Sequence, residues 1–321
     1  MGRRRASSRK RKSDALESAE ELRPNPSVGE RGEGVDYMSI LPNEVLGEII
    51  SLLPTNEGAR TRILAHRWRH LWCSAPLNLD FRHLGRWRRH QELGDYVSRI
   101  LHSHRGPGRH LHAWADDEAS YDAVEKCLSS PALDKIQELE VDFDFETAVP
   151  ASLFSSSSPT LRVVDIGRCS ISDATVHGLQ FPMLKQLGLR FVEIKSERSF
   201  YNMIACCPVL DCLHMFACYG VKCLRINSLS IRRIGVLNAS GGDRIILDQL
   251  IIESAPSLET LLHFDDFNDL HVSVLIAPKL ENLDFCTKST SIVFGSNDIE
   301  VTCIFFCTYK LYIKFAHMYI A

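Results

Sequence analysis

Two His-x-His pairs, His102/His104 and His110/His112, stand in a stretch crowded with histidine and arginine. Alternate residues of a strand share a face, so two such pairs could present four imidazoles to a zinc ion. No carboxylate or thiolate sits at matching ligand spacing, however, and Gly106-Pro107-Gly108 puts a turn between the pairs. They are expected to lie in a half-exposed hairpin, not in a metal centre. Cys206, Cys207, Cys212, Cys218 and Cys223 cluster in sequence without a Cys-x-x-Cys pair, and small thiols packed between neighbouring segments account for them better than zinc. Asp142, Asp144 and Glu146 alternate along a strand-like run, and Asp265-Asp266 forms a second acidic spot. Alternating acids on a strand are usually its solvated face. There is no Gly-rich phosphate loop, no Gly-x-Ser-x-Gly elbow and no His-Glu-x-x-His. These residues predict neither an enzyme nor a cofactor, and stoichiometric zinc in the purified protein would overturn that.

The elements around these residues are repeats. Ile136-x-x-Leu139-x-Val141 aligns with Leu161-x-x-Val164-x-Ile166, and then with Leu184-x-x-Leu187-x-Leu189 and Leu210-x-x-Leu213-x-Met215. Ile231-x-x-Ile234-x-Val236, Leu258-x-x-Leu261 and Leu280-x-x-Leu283-x-Phe285 complete the set. Five of the seven have proline two residues upstream: Pro159, Pro182, Pro208, Pro256 and Pro278. Their first positions lie 25, 23, 26, 21, 27 and 22 residues apart. That is the leucine-rich-repeat period, one strand and one return segment per turn. Such units stack their strands into a parallel sheet lining a concave face. Polar residues between the aliphatics are the candidates for holding a protein client there: Lys185, Asp211, His214, Arg232 and Glu259.

Before the repeats, Ser39 to Phe81 reads as three short helices. Pro42 suits a first helical turn, and Glu44 places negative charge near that helix's N-terminus. Val45, Leu46, Ile49, Ile50, Leu52 and Leu53 come next at offsets of one, three and four. They cover more than half of the helix circumference, wider than one stripe facing one core. Pro54 stops the helix, and Thr55 or Asn56 is expected to cap the next, which carries Ile63 and Leu64. Trp68, Leu71 and Trp72 share one face of a third, which Pro76 ends. About forty residues cannot bury so wide an apolar set internally. The surplus calls either for a partner or for the downstream repeats, which the helices would cap.

Residues 1–34 contain almost no large apolar side chain and are expected to be disordered. Within them, Arg3-Arg4-Arg5 and Arg9-Lys10-Arg11-Lys12 are either an import signal or a solvated tail. A net charge of -3 argues against a chain-wide nucleic-acid surface. Eleven cysteines, an odd number, and no secretory signal predict free thiols in a reducing compartment, nucleus and/or cytoplasm. Near the C-terminus an apolar run is interrupted by Lys310, Lys314 and His317, too short to span a bilayer.

LPNEVLGEIISLLP and then ARTRILAHRWRHLW resemble an F-box of the plant type, matching at Leu41, Pro42, Glu44, Leu46, Ile49, Leu53, Arg60, Leu64, Arg67, Trp68 and Trp72. Ala65-His66 departs mildly from it, since the family usually has a small polar residue there. Joined to Pro-x-Leu-x-x-Leu repeats, the F-box is similar to the large plant F-box and leucine-rich-repeat group over residues 36 to 295. Many members continue into a module called FBD. After Phe294-Gly295 this sequence leaves the repeat register, and an FBD module is not expected in residues 296–321. The resemblance implies an α/β architecture, a short three-helix F-box followed by an irregular leucine-rich-repeat solenoid with its parallel strands on the concave face. The expected order is a basic and acidic tail (1–35), the F-box (36–81), a linker helix and strand (82–130), repeats (131–295) and an atypical C-terminal tail (296–321).

In that family the module docks on a Skp-type adaptor, which in turn binds a cullin and a RING subunit. Carried over, the adaptor contacts are Leu41, Pro42, Glu44, Leu46, Ile49, Leu53 and Trp68. The implied function is substrate recognition for an SCF-type ubiquitin ligase, with no chemistry in this chain, no nucleic acid and no membrane. Catalysis would come from holding a client close to the ligase. The alternatives are a repeat scaffold outside any ligase, or a truncated, degenerate product without a partner.

Overall fold

A ladder of aliphatic side chains ties together the largest element of the computed structural model. Leu79, Leu111, Leu139, Val164, Leu187, Leu213, Ile234, Leu261 and Leu283 are successive register partners in one sheet. They lie on nine parallel strands: β1 (Leu77–Asp80), β2 (Gly108–Ala115), β3 (Glu138–Ala148), β4 (Val163–Ile171), β5 (Gln186–Arg190), β7 (Cys212–Phe216), β9 (Arg233–Asn238), β11 (Thr260–Asp265) and β13 (Asn282–Cys286). The short β6 (Glu193–Ile194) pairs with β4 off this path. Side chains alternate across a strand, so the second aliphatic of each repeat makes a second rung: Val141, Ile166, Leu189, Met215 and Val236. In β11 His263 takes that place, with Phe285 as its next register partner. The repeats therefore pair in the register that their spacing predicts.

The structure describes residues 37–84, 90–149, 153, 159–238, 244–265, 270–286, 290–294 and 297–301. The basic runs, the tail 1–35, Asp266 and everything beyond Val301 lie outside the described residues. The chain divides into two units, Met1–Leu41 and Pro42–Ala321. The first contributes α1 (Tyr37–Ile40), and every other element belongs to the second.

The layer that covers the sheet's apolar face changes character along the chain. First it is helical: α6 (His90–Ser103), α7 (Glu118–Leu128), α8 (Asp173–Val176) and α9 (Glu197–Ala205). Leu93, Val97, Val124, Cys127, Phe200 and Ile204 bury their side chains from it. Later it becomes a second, five-stranded sheet of β8 (Cys223–Asn227), β10 (Gln249–Ser254), β12 (His271–Val274), β14 (Thr290–Phe294) and β15 (Asn297–Val301). Leu224, Leu250, Val272 and Ile292 form one ladder there, and Ile226, Ile252, Val274 and Phe294 another. β15 returns antiparallel on β14. The repeat spacing predicts these return segments only as connections, and their pairing into a sheet is a finding of the structure.

The helices before the sheet are α2 (Asn43–Ser51), α3 (Thr55–Arg60), a 3-10 turn (Thr61–Ile63) and α4 (His66–Ser74). Pro42 stands at the N-cap of α2 instead of inside its first turn, and Pro54 takes the N-cap of α3 in place of the expected Thr55 or Asn56, neither helix having a side-chain cap. Leu46, Ile50, Leu71 and Trp72 are buried between α2 and α4. After α4 the chain enters β1 directly, and α5 (Phe81–Leu84) comes next. The histidine-rich stretch is not the hairpin it resembles in sequence, because β1 and β2 run parallel, with α6 in the crossover. A parallel pair needs such a connection, whereas a tight turn serves only an antiparallel pair.

Candidate partner-binding surfaces

Three short helices leave one apolar set without cover. Ile63 is 83% exposed, Leu52 77% and Leu64 65%, with Val45 and Leu53 also exposed. α2 explains the division. Leu46 and Ile50 recur four residues apart and turn inward with Gly47 and Ser51, so Val45 and Leu52 fall on the opposite side. Pro42 and Glu44 are exposed, while Ile49 and Trp68 are half-buried. Leu41 belongs to the first unit. Leu46 must be withdrawn from the candidate contacts: it is fully buried and holds α2 in place. Leu52, Ile63 and Leu64 are absent from the contacts that the resemblance implies, although Leu52 stands in the apolar run and Leu64 in the matched motif. Assigning the inward stripe to Leu46 and Ile50 would have pointed to them.

The helices are clasped to the first strands by polar groups. Asn78 on β1 donates to the carbonyl of Ser51, and the Thr55 hydroxyl donates to the carbonyl of Asn78. Arg109 on β2 reaches Glu48 at 3.2 Å. His104 donates through Nε2 to the Ala75 carbonyl at 2.8 Å, and its ring meets Trp72 edge-on at 4.9 Å. A Cβ on Gly106 would collide with that same Ala75 carbonyl, so this close approach requires glycine.

The other candidate surface is the rim where the repeat strands begin. The carbonyl of Lys185 accepts from the backbone N–H groups of Asp211 and Cys212, and that of Asp211 from Arg232 and Arg233. The Arg232 carbonyl accepts from Glu259 and Thr260 in turn. Lys185, Asp211, Arg232 and Glu259 thus succeed one another along this edge. Arg232 pairs with Glu259 at 2.8 Å and approaches Asp211 at 3.8 Å, while Arg233 pairs with Asp211 at 2.8 Å. Exposed pairs of this kind add little stability, so they present mixed charge at the rim and leave Lys185 exposed beside them. His214 does not join them. It is 4% exposed and lies 3.0 Å from the Cys212 sulfur, with its pKa pushed down to about 4 by burial and by Arg233. It lies on its strand between Leu213 and Met215 as expected, and its burial is what corrects the expectation for this residue, whereas Lys185, Asp211, Arg232 and Glu259 each stand just ahead of a strand.

The residues that suggested chemistry are dispersed into structural roles. His102 is exposed on α6 and His104 is buried. His110 on β2 lies 3.1 Å from Glu138. His112 lies between Asp80 at 3.4 Å and Glu140 at 3.7 Å. Burial alone would raise the Asp80 carboxyl, but His112 and Arg82 outweigh it and hold it well below the usual carboxylate range. Asp142 pairs with Arg190 at 3.3 Å, and Asp144 is exposed. Burial pushes the thiols of Cys169, Cys207, Cys212 and Cys218 up to about 12, so they pack as neutral groups. Among the described residues no cluster of three His, Cys, Asp or Glu could hold a metal ion. No helix among them is long and apolar enough to cross a membrane.

Comparison with known proteins places a family on each surface. An F-box domain model matches residues 38–80. A model described as FBD-associated F-box protein At5g56370, LRR repeats, matches residues 124–305, more than half of the chain. The chain is 26% identical to F-box/LRR-repeat protein 13 of Arabidopsis thaliana over 243 residues, 71% of this chain and 51% of that protein. It is 28% identical to the putative F-box/FBD/LRR-repeat protein At1g66290 over 251 residues, 74% of this chain and 52% of that protein. With F-box/FBD/LRR-repeat protein At5g22700 it shares 29% over 287 residues, 82% and 60% of the two chains. Both are also from Arabidopsis thaliana. The chain spans about half the length of such curated relatives. No solved structure matches. With a leucine-rich-repeat model of this group matching more than half of the chain and an F-box model matching the helices before it, the chain belongs to the plant F-box/leucine-rich-repeat family.

Proposed function

We propose that this chain is the substrate-recognition subunit of an SCF-type ubiquitin ligase, acting in the nucleus and/or cytoplasm. The F-box would hold a Skp-type adaptor, which brings a cullin and a RING subunit, and the repeats would hold a protein client. The observation that carries the reading is the exposed set Leu52, Ile63 and Leu64 on a module that matches the F-box model. Large aliphatics exposed together on so small a module are costly in water and suit a surface that a partner covers. Each one covered contributes roughly 1.5–3 kcal/mol of transfer energy, reduced by the costs of association. The client would meet the rim of Lys185, Asp211, Arg232 and Glu259, whose mixed signs suit a polar partner of mixed charge.

The test is co-purification with a Skp-type adaptor. Wild type should capture it stoichiometrically. Leu52→Glu/Leu64→Glu, which alters only exposed side chains, should lose capture while keeping the wild-type melting temperature. Leu41→Ala/Pro42→Ala should weaken capture as well. A folded wild type that captures no adaptor would sink the reading and favour a scaffold acting outside any ligase.

A further inference from the structure

Away from both surfaces, α8 and α9 enclose a cleft of about 660 Å³. We infer that it is a binding site for a small amphipathic carboxylate. Ligand clefts of about 300–1,000 Å³ commonly combine an apolar lining with a few polar groups that fix orientation, and this one has both.

Its walls are fixed to each other at two points. Near one, the Ser199 hydroxyl on α9 donates to Asp173 Oδ1 on α8 at 2.9 Å. At the other, the Phe181 backbone N–H donates to the Cys206 carbonyl at 2.9 Å. The cleft is therefore preformed, which spares a ligand the cost of ordering it. Val176, Leu179 and Cys206 supply apolar lining. α9 turns Phe200, Met203 and Ile204 inward and leaves Arg198, Asn202 and Ala205 at i, i+4 and i+7 to line the cleft. Two small residues keep it open. Ala205 carries one methyl, and Gly178 adopts a φ of +76°, where a Cβ would meet nothing within 4 Å.

The polar lining sets the ligand class. Arg198 makes no ion pair among the described residues, and neither it nor Asn202 is hydrogen-bonded to another side chain there. Asp173 is the carboxylate of the lining, and its Oδ1 accepts from the hydroxyls of Ser196 and Ser199. His177 and Gln180 complete the polar edge. A guanidinium with no ion pair among the described residues, beside an amide and an apolar lining, matches a carboxylate attached to an apolar body. The guanidinium can grip both carboxylate oxygens at once.

The probe is 2-naphthoate, with 2-naphthalenemethanol as its uncharged counterpart, titrated into the full chain by saturation-transfer NMR. The acid should bind saturably and at least about tenfold more tightly than the alcohol. Arg198→Gln should abolish that preference, and Arg198→Lys should restore part of it. Ala205→Trp should block both ligands. Both positions line an open cleft, and unchanged melting temperatures verify that the variants fold. The proposal is overturned if the acid shows no saturable binding, if Arg198→Gln keeps the preference, or if Ala205→Trp still binds.

Discussion

His263 occupies a position that the other rungs give to Val141, Ile166, Leu189, Met215 or Val236. It is 1% exposed, and burial pushes its pKa down to about 4. His214 lies on the other face of the sheet at a similarly low value. An unfolded histidine titrates near 6.5. Between pH 6.5 and 4 the unfolded chain therefore binds protons that the folded chain refuses. Stability is complete above about 6.5 and falls as the pH drops towards 4. A fall from about 6.5 to about 4 corresponds to about 3 kcal/mol for each histidine. Replacing His263 with valine, the residue of the neighbouring rung, should shrink the loss between pH 7 and pH 4 by about that amount. Urea denaturation at a series of pH values measures it, and an unchanged pH slope in His263→Val would refute this account.

At the scale of elements, local signals decide where helices begin, and α7 depends on one of them. Asp117 accepts from the Ser120 N–H at 2.7 Å, and the Ser120 hydroxyl accepts from the Asp117 N–H at 3.0 Å. This reciprocal capping satisfies two otherwise orphaned donors. Asp117→Ala should cost about 1 kcal/mol, read as a lower urea midpoint with an unchanged slope. The seven repeat strands were legible because an aliphatic pair at Leu-x-x-Leu spacing marks each, and in five a proline two residues upstream fixes the entry as well. The second sheet was not, although Leu224-x-Ile226, Leu250-x-Ile252 and Val272-x-Val274 alternate correctly. Runs of four to six residues with no fixed punctuation do not separate a strand from an extended return loop. Pairing with neighbouring repeats decides it, and that information is non-local. Leu46 illustrates the same limit in the helices. A wide apolar surface says that some side chains stay outside, but which ones depends on how α4 packs against α2. His214 fits the polar alternation of its strand, yet its burial comes from neighbours on other repeats.

In the second unit as a whole, the F-box helices and the repeats are joined through a shared sheet, since β1 is both the end of one and the first strand of the other. Leu79 is fully buried on β1 and starts the ladder that ends at Leu283. Asn78 beside it holds Ser51 and Thr55 of the helices. Leu79→Ala should cost about 2–5 kcal/mol through the lost contacts and the cavity left behind. In stacked repeats each unit interacts with its neighbours alone, so damage stays near its origin. Hydrogen exchange should therefore accelerate in α2–α4 and β1–β3 of Leu79→Ala while β11 remains protected. Leu261→Ala, in the same ladder but near its other end, should do the reverse. If α2–α4 exchanged as in wild type when Leu79 is removed, the helices would be an independent module on a tether. Equal loss of protection at both ends in either variant would instead mean that the array unfolds as one unit. The expected outcome would tie the orientation of the exposed face of Leu52 and Leu64 to that of the charged rim, because the chain passes from α4 into β1 through Ala75 and Pro76 alone.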